Sequence, residues 1–141
     1  MMGININCKH QDFIGEILRG EKTIETRNTP SLDPYIDKRV GLVRTGQGKA
    51  MLMGFATIRE GFIYYDRQSF DADYELHKVA PSSPYYIKDA GTKVGYILED
   101  VESIEPTLVI SLGIIARNID AAIERTVKHN SPSLSLLNER F

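Results

Sequence analysis

Gly20-Glu21-Lys22-Thr23-Ile24-Glu25-Thr26-Arg27 is the stretch on which the reading of this chain turns. Upstream, Gln11 to Arg19 places Phe13, Ile14, Ile17 and Leu18 on one stripe, the spacing of an amphipathic helix. Gly20 supplies the left-handed residue that commonly closes a helix. From Thr23 to Arg27 the β-branched residues at 23, 24 and 26 favour a strand. Three charged side chains, Lys22, Glu25 and Arg27, therefore crowd the exit of a helix and the mouth of a strand. Such a cluster suits an anion, a polar base edge or an amide; the plainer reading is a solvated edge strand with an ordinary ion pair. Strict alternation would put Lys22 and Glu25 on opposite faces, so sharing a cleft requires the chain to turn at Lys22.

Before the helix, Gly3 to Cys8 alternates apolar Ile4, Ile6 and Cys8 with polar residues, the period of a half-buried strand. After the motif, Asn28 to Asp37 holds Pro30 and Pro34 and reads as a loop able to lie over the strand's end. Arg39 to Arg44, the turn Thr45-Gly46-Gln47-Gly48 and Met51 to Arg59 form a hairpin pattern. Glu60 to Pro84 is irregular and aromatic, with a short helix over Ser69 to His77. Tyrosines at this density stack on bases or cover the open end of a small barrel. Val94 to Val101 returns to strand, and Thr107 to Ile115 is a further apolar run. Beyond Arg117, Ile119, Ile123 and Val127 stand at helical spacing, Ser131-Pro132-Ser133 breaks the pattern, and Leu134, Leu136, Leu137 and Phe141 close the chain. Those last residues are expected to dock on the domain or to pair it with a second copy as a homodimer, because a free tail would expose them. The expectation is an α+β protein: a small mixed β-barrel over residues 1–118, with an early helix, and a C-terminal helical and apolar tail over 119–141.

The 141 residues are 42% hydrophobic and 26% charged, ordinary for one soluble domain with a real core. No apolar run is long enough to cross a membrane, and the N-terminus lacks the layout of a secretion signal, which predicts a cytoplasmic protein. The lone Cys8 excludes an internal disulfide and a cysteine-rich metal site, and no histidine pair has ligand spacing. No metal or cofactor is expected. A net charge of −2 argues against broad coating of a nucleic-acid backbone but leaves room for a small basic pocket.

Gly20-x-Lys22-x-x-Glu25-x-Arg27 resembles the G-x-K-x-x-E-x-R signature of the ASCH domain (activating signal cointegrator homology), a relative of the PUA RNA-binding fold. Val40-Gly41 and Lys93-Val94-Gly95-Tyr96-Ile97-Leu98 are similar to the family's later strands. The resemblance covers about residues 3–117. It implies a PUA-like barrel whose cleft binds RNA or a modified nucleoside. It also implies an alternative, because small bacterial relatives include an amidohydrolase acting on N4-acetylcytidine, and another relative is a ribonuclease. That amidohydrolase uses a lysine, a threonine and a glutamate. Lys22 matches the lysine, Glu25 stands where the threonine would be, and the helical insert that should hold the glutamate contains Asp73, Glu75 and His77.

The catalytic candidates are thus Lys22, Glu25 and Glu75, the last, like Glu60 and His77, qualified as the second acid only by residue type. A lysine acts as a base only if burial lowers its pKa, and a neighbouring carboxylate works against that. Lys22 with Glu25 is therefore better suited to a fixed clamp than to a nucleophile–base couple. Arg27 offers a planar fork for phosphate or a carbonyl edge; a plain salt bridge with Glu25 is the competing reading. Arg27, Arg44, Lys93 and Tyr96 are the ligand-binding candidates, with Arg117 a further possible rim charge.

Overall fold

The computed structural model describes residues 1–130, with side chains described through residue 126. The tail positions Leu134, Leu136, Leu137 and Phe141, and the homodimer expected through them, lie outside the described residues. Six strands form one mixed sheet: β1 (Met2–Asn7), β2 (Ile24–Arg27), β3 (Lys38–Thr45), β4 (Met51–Tyr64), β5 (Lys93–Leu108) and β6 (Ala116–Asn118). Their order is β2-β5-β4-β3-β1-β6. β1 runs parallel to β3, with Ile4 opposite Leu42, and every other pair is antiparallel. The expected hairpin is β3–β4, and Gly46 and Gly48 in its turn both take positive φ.

β4 and β5 are longer than their sequence patterns suggest, 14 and 16 residues. Their pairing slips at three places, between Leu52 and Gly54, Phe55 and Thr57, and Ile58 and Glu60. Each slip adds local bend and twist. The sheet consequently curls into a half-barrel, far enough for Arg27 on the edge strand β2 to donate to the backbone oxygen of Asn5 on β1 at 2.8 Å. This is the small mixed α+β barrel expected from the sequence.

Inside the curl lie Ile4, Ile6, Val40, Leu42, Ile58, Val94 and Leu98, each at most 7% exposed. The helix α1 (Phe13–Leu18) is shorter than its apolar pattern; Asp12 caps it by accepting from the Gly15 N–H. It delivers Phe13, Ile14 and Ile17 to the same core, and each such side chain contributes about 1.5–3 kcal/mol by leaving water. Two short helices, α2 (Arg67–Ala72) and α3 (Tyr74–His77), replace the single one expected over 69–77. Asp73 separates them, its side chain taking a hydrogen bond from the Tyr64 hydroxyl at 2.7 Å. The last helix, α4 (Asp120–Asn130), covers a smaller apolar cluster with Val43, Leu52, Val109, Ile119 and Ala122. The apolar run 107–115 is strand only at its first two residues: β5 ends at Leu108, and Ile110, Leu112 and Ile114 are exposed in the connection to β6. Among the described residues no helix is long and apolar enough to cross a membrane.

Candidate functional site

The position of Lys22 follows from how α1 ends. Gly20, at φ 77°, lets its own N–H bond the Ile17 carbonyl while the Glu21 N–H reaches back to Glu16, the pair of bonds that defines a Schellman stop. The Lys22 N–H also bonds Glu16, at 3.1 Å, and strand pairing begins only with Thr23, whose N–H bonds Leu76 and whose carbonyl accepts from Leu98. The chain therefore turns at Lys22, as sharing a cleft with Glu25 requires. Its side chain is fully buried: Nζ donates to the His77 carbonyl at 2.5 Å, lies 3.5 Å from Glu25 Oε1, and sits 4.8 Å from the Phe13 ring centre. Burial pushes the Lys22 pKa down, opposed by the charges of Glu25 and Glu16.

Glu25 is directly opposite Tyr96 and Arg27 directly opposite Val94, so both side chains point inside the curl. Glu25 Oε1 accepts from the Thr26 N–H at 3.2 Å and Oε2 from Arg27 Nη2 at 3.0 Å. The same Nη2 bonds Asn5 across the gap between β2 and β1, where the half-barrel stays open. That gap forms a cavity of about 280 Å³, lined by Lys22, Glu25, Thr26 and Arg27 on one side. Asn5, Ile6, Asn7 and Thr45 line the other, with Phe13, Val79, Tyr85 and Ile114 completing the wall. Phe13 and Tyr85 meet edge to face with ring centres 5.8 Å apart, an aromatic corner at the pocket.

His77 contributes through its backbone. Its Nδ1 accepts from the Val79 N–H at 2.9 Å, which leaves the proton on Nε2 to be donated to the Phe70 carbonyl at 2.6 Å. The neutral ring stacks on Phe70, centres 4.0 Å apart, and burial lowers its pKa. With both nitrogens engaged, the side chain has no proton-transfer role to offer. The ring instead fixes the turn whose carbonyl holds Lys22.

Other candidates fall elsewhere. Glu75 is exposed and paired with Lys78 at 3.0 Å, outside the pocket, and Glu60 is exposed on β4. Tyr96, expected to bind ligand, is instead a core residue with no exposed surface. Its hydroxyl donates to Asp33 at 2.7 Å and accepts from the Leu32 N–H, which ties down the 28–37 loop; burial pushes its pKa up to about 12. Arg44 lines a separate groove with Cys8, His10 and Gln47, not the cavity between β2 and β1. Arg117 bonds the Asn5 side chain at 2.8 Å and the Ser111 carbonyl, so it braces β1 from behind. Lys93 is 2% exposed at the start of β5, near enough for the charges of Glu25, Lys22 and Arg27 to act on it, and burial lowers its pKa to about 8.

Sequence reasoning missed Asn5, Asn7, Thr45 and Tyr85 as pocket residues. Asn5 and Asn7 are the polar positions of an alternating strand, a pattern that predicts a solvent face. Tyr85 belongs to the tyrosine-rich stretch already marked for stacking, which was the one available signal.

No protein-family model matches the chain, and no curated protein matches it in sequence. Solved ASCH proteins do match it in structure. The crystal structure of ASCH from Zymomonas mobilis superposes with a TM-score of 0.62 at 21% identity, over 77% of this chain and 73% of that one. A tyrosine-to-phenylalanine variant of that protein gives 0.62 at 21% identity over 77% and 75% of the two chains. A serine-to-alanine variant gives 0.64 at 17% identity over 90% and 94%. The chain thus has the ASCH fold that its octapeptide motif implied.

Proposed function

We propose that this ASCH-type domain binds RNA or a modified nucleoside in the cavity between β2 and β1. The observation that carries this reading is the composition of that cavity. A rigid Lys22–Glu25–Arg27 cluster supplies charged donors and one acceptor, and Phe13 and Tyr85 supply aromatic surface beside them. Polar base edges and a stacking platform are what recognition of an unstacked base uses. The volume of about 280 Å³ is at the small end for ligand pockets, which fits one nucleoside or the end of a strand and not a duplex.

The alternative is hydrolysis of an N4-acylated cytidine or related amide. In its favour, burial moves the Lys22 pKa in the direction a base needs. Against it, the Lys22 ammonium is held by the His77 carbonyl and faces Glu25. Glu25 is also the sole carboxyl group lining the cavity among the described residues. Amide cleavage needs a further acid for the departing amine, and Glu75 is on the surface. Binding is therefore the stronger reading. Incubation with a panel of acylated nucleosides and short RNAs, read by mass spectrometry, tests both: deacylated product establishes the hydrolase, and retained ligand establishes the binder. No product and no retained ligand across the panel would refute both.

A further inference from the structure

The buried charges around the cavity do not balance. Lys22 and Arg27 line the cavity beside Glu25, the one carboxylate in its lining among the described residues, and Lys93, 2% exposed and outside the lining, is close enough to feel all three charges. Both Glu25 oxygens are engaged already, Oε1 by Thr26 and Lys22, Oε2 by Arg27. The next acid acting on Lys22 is Glu16, which is half-buried and takes the Gln11 side-chain amide. Among the described residues no carboxylate lies within ion-pair distance of Lys93, and Arg27 Nε is buried without a hydrogen-bond partner. Cations enclosed in excess of anions are strongly unfavourable unless a counter-charge enters.

Building on the nucleoside- and RNA-binding reading, we propose that the group completing this site is a phosphate, carried by a nucleotide or an RNA end. It sits against Arg27, with Lys22 and Lys93 as the surrounding cations. The accessible part of the Arg27 guanidinium, on a side chain 17% exposed, is the donor it meets, and charged donors to an oxyanion give the stronger class of hydrogen bond; Lys22, with no exposed surface, acts on it through its charge. The aromatic corner of Phe13 and Tyr85 is left for the base. A bare nucleoside satisfies the corner and leaves the excess charge in place, so the ligand class is the phosphorylated form.

The arrangement has a protonic signature. Lys93, with a pKa of about 8, feels Glu25 in one direction and Lys22, Arg27 and Lys88 in the other; Lys22 feels Glu25 and Glu16 against Arg27. An entering anion raises the affinity of both ammonium groups for protons, so binding at pH 8 takes up about half a proton through Lys93.

Titration calorimetry of the full chain tests this, at pH 8 in two buffers of different ionisation enthalpy. The probes are inorganic phosphate, the four common ribonucleosides and their 5′-monophosphates. At least one monophosphate is expected to bind about tenfold to a hundredfold tighter than its nucleoside, with inorganic phosphate competing. Arg27→Gln should weaken the monophosphate and spare the nucleoside. Lys93→Met should remove the Lys93 share of the proton uptake, which keeps the test open if Arg27→Gln fails to fold. Equal affinity for nucleoside and monophosphate, without competition by phosphate, overturns the phosphate inference and leaves the nucleoside reading standing. Phosphate binding with proton uptake, to which no nucleoside adds affinity, supports the phosphate site and removes base recognition. If no phosphate-bearing probe binds at millimolar concentration, the inference is overturned.

Discussion

Lys93→Met measures how much the buried charge imbalance costs the fold. The ordinary lysine value is 10.5 and Lys93 sits at about 8. At 1.36 kcal/mol per pH unit, keeping this ammonium charged costs the folded state about 3 kcal/mol at neutral pH. The sign follows from the depressed value. Between pH 8 and 10.5 the unfolded chain binds more protons than the folded one, so wild-type stability rises with pH through that window and gains nothing below it. Methionine keeps most of the side-chain volume and its flexibility while removing the charge. The variant should therefore be more stable than wild type by about 2–3 kcal/mol at pH 7, with the difference shrinking below about 1 kcal/mol at pH 10. Lys22 titrates with the same sign, and the phenols of Tyr64 and Tyr96, whose pKa values are raised, lower stability above pH 10. All three are common to both proteins, so the difference between them reports Lys93 together with its repulsion of Lys22. Urea unfolding followed by circular dichroism at pH 7, 8, 9 and 10 provides the measurement. Parallel stability curves, or a variant less stable than wild type at pH 7, would refute the claim that Lys93 is an uncompensated buried cation.

Three further outcomes are expected. Lys22→Ala strands the buried His77 carbonyl and should cost roughly 1–3 kcal/mol of stability together with ligand affinity, whereas Lys22→Arg should keep part of the binding and abolish any lysine-dependent hydrolysis; unchanged stability and binding in Lys22→Ala would reduce the motif to a passive ion pair. Tyr96→Phe removes the bonds to Asp33 and Leu32 and should cost about 1–3 kcal/mol in thermal or urea unfolding without altering ligand affinity, and a selective loss of affinity would return Tyr96 to the binding site. Binding of single-stranded RNA should weaken with salt at a slope of about −2 in log K against log[salt], because the site offers two or three cations; a slope beyond about −5 would mean an extended basic track.

Much of the fold is legible in the chain because its cues are local. Alternation in Ile4, Ile6 and Cys8 marks β1, and Gly20 marks the stop of α1. The two glycines of residues 45–48 mark the β3–β4 turn. Each is settled by residues a few positions apart, where sterics and backbone hydrogen bonding act without help from the rest of the molecule. The motif also showed what a shared cleft demands, a turn at Lys22, without deciding that Lys22 and Glu25 share one. Element lengths were less legible. β5 continues from Val101 to Leu108 through an exposed acidic stretch containing Pro106, held by pairing with β4 rather than by any apolar pattern of its own.

What only the tertiary structure decided is which side chains share an environment. Tyr96 and Glu25 are directly opposite one another on adjacent strands, yet one is sealed by Leu32 and Asp33 while the other borders the cavity. Asn5 and Asn7 read as solvent-facing until the curl brings β2 round to β1 and turns that stretch of β1 into a pocket wall. The excess of buried cations is invisible in a chain of net charge −2, because net charge sums over all residues. Burial, by contrast, is set by three slips in the β4–β5 pairing and by the packing of α1 and α3. Alternation fixes the face of a strand that a residue occupies, whereas the curvature of the sheet fixes what that face meets.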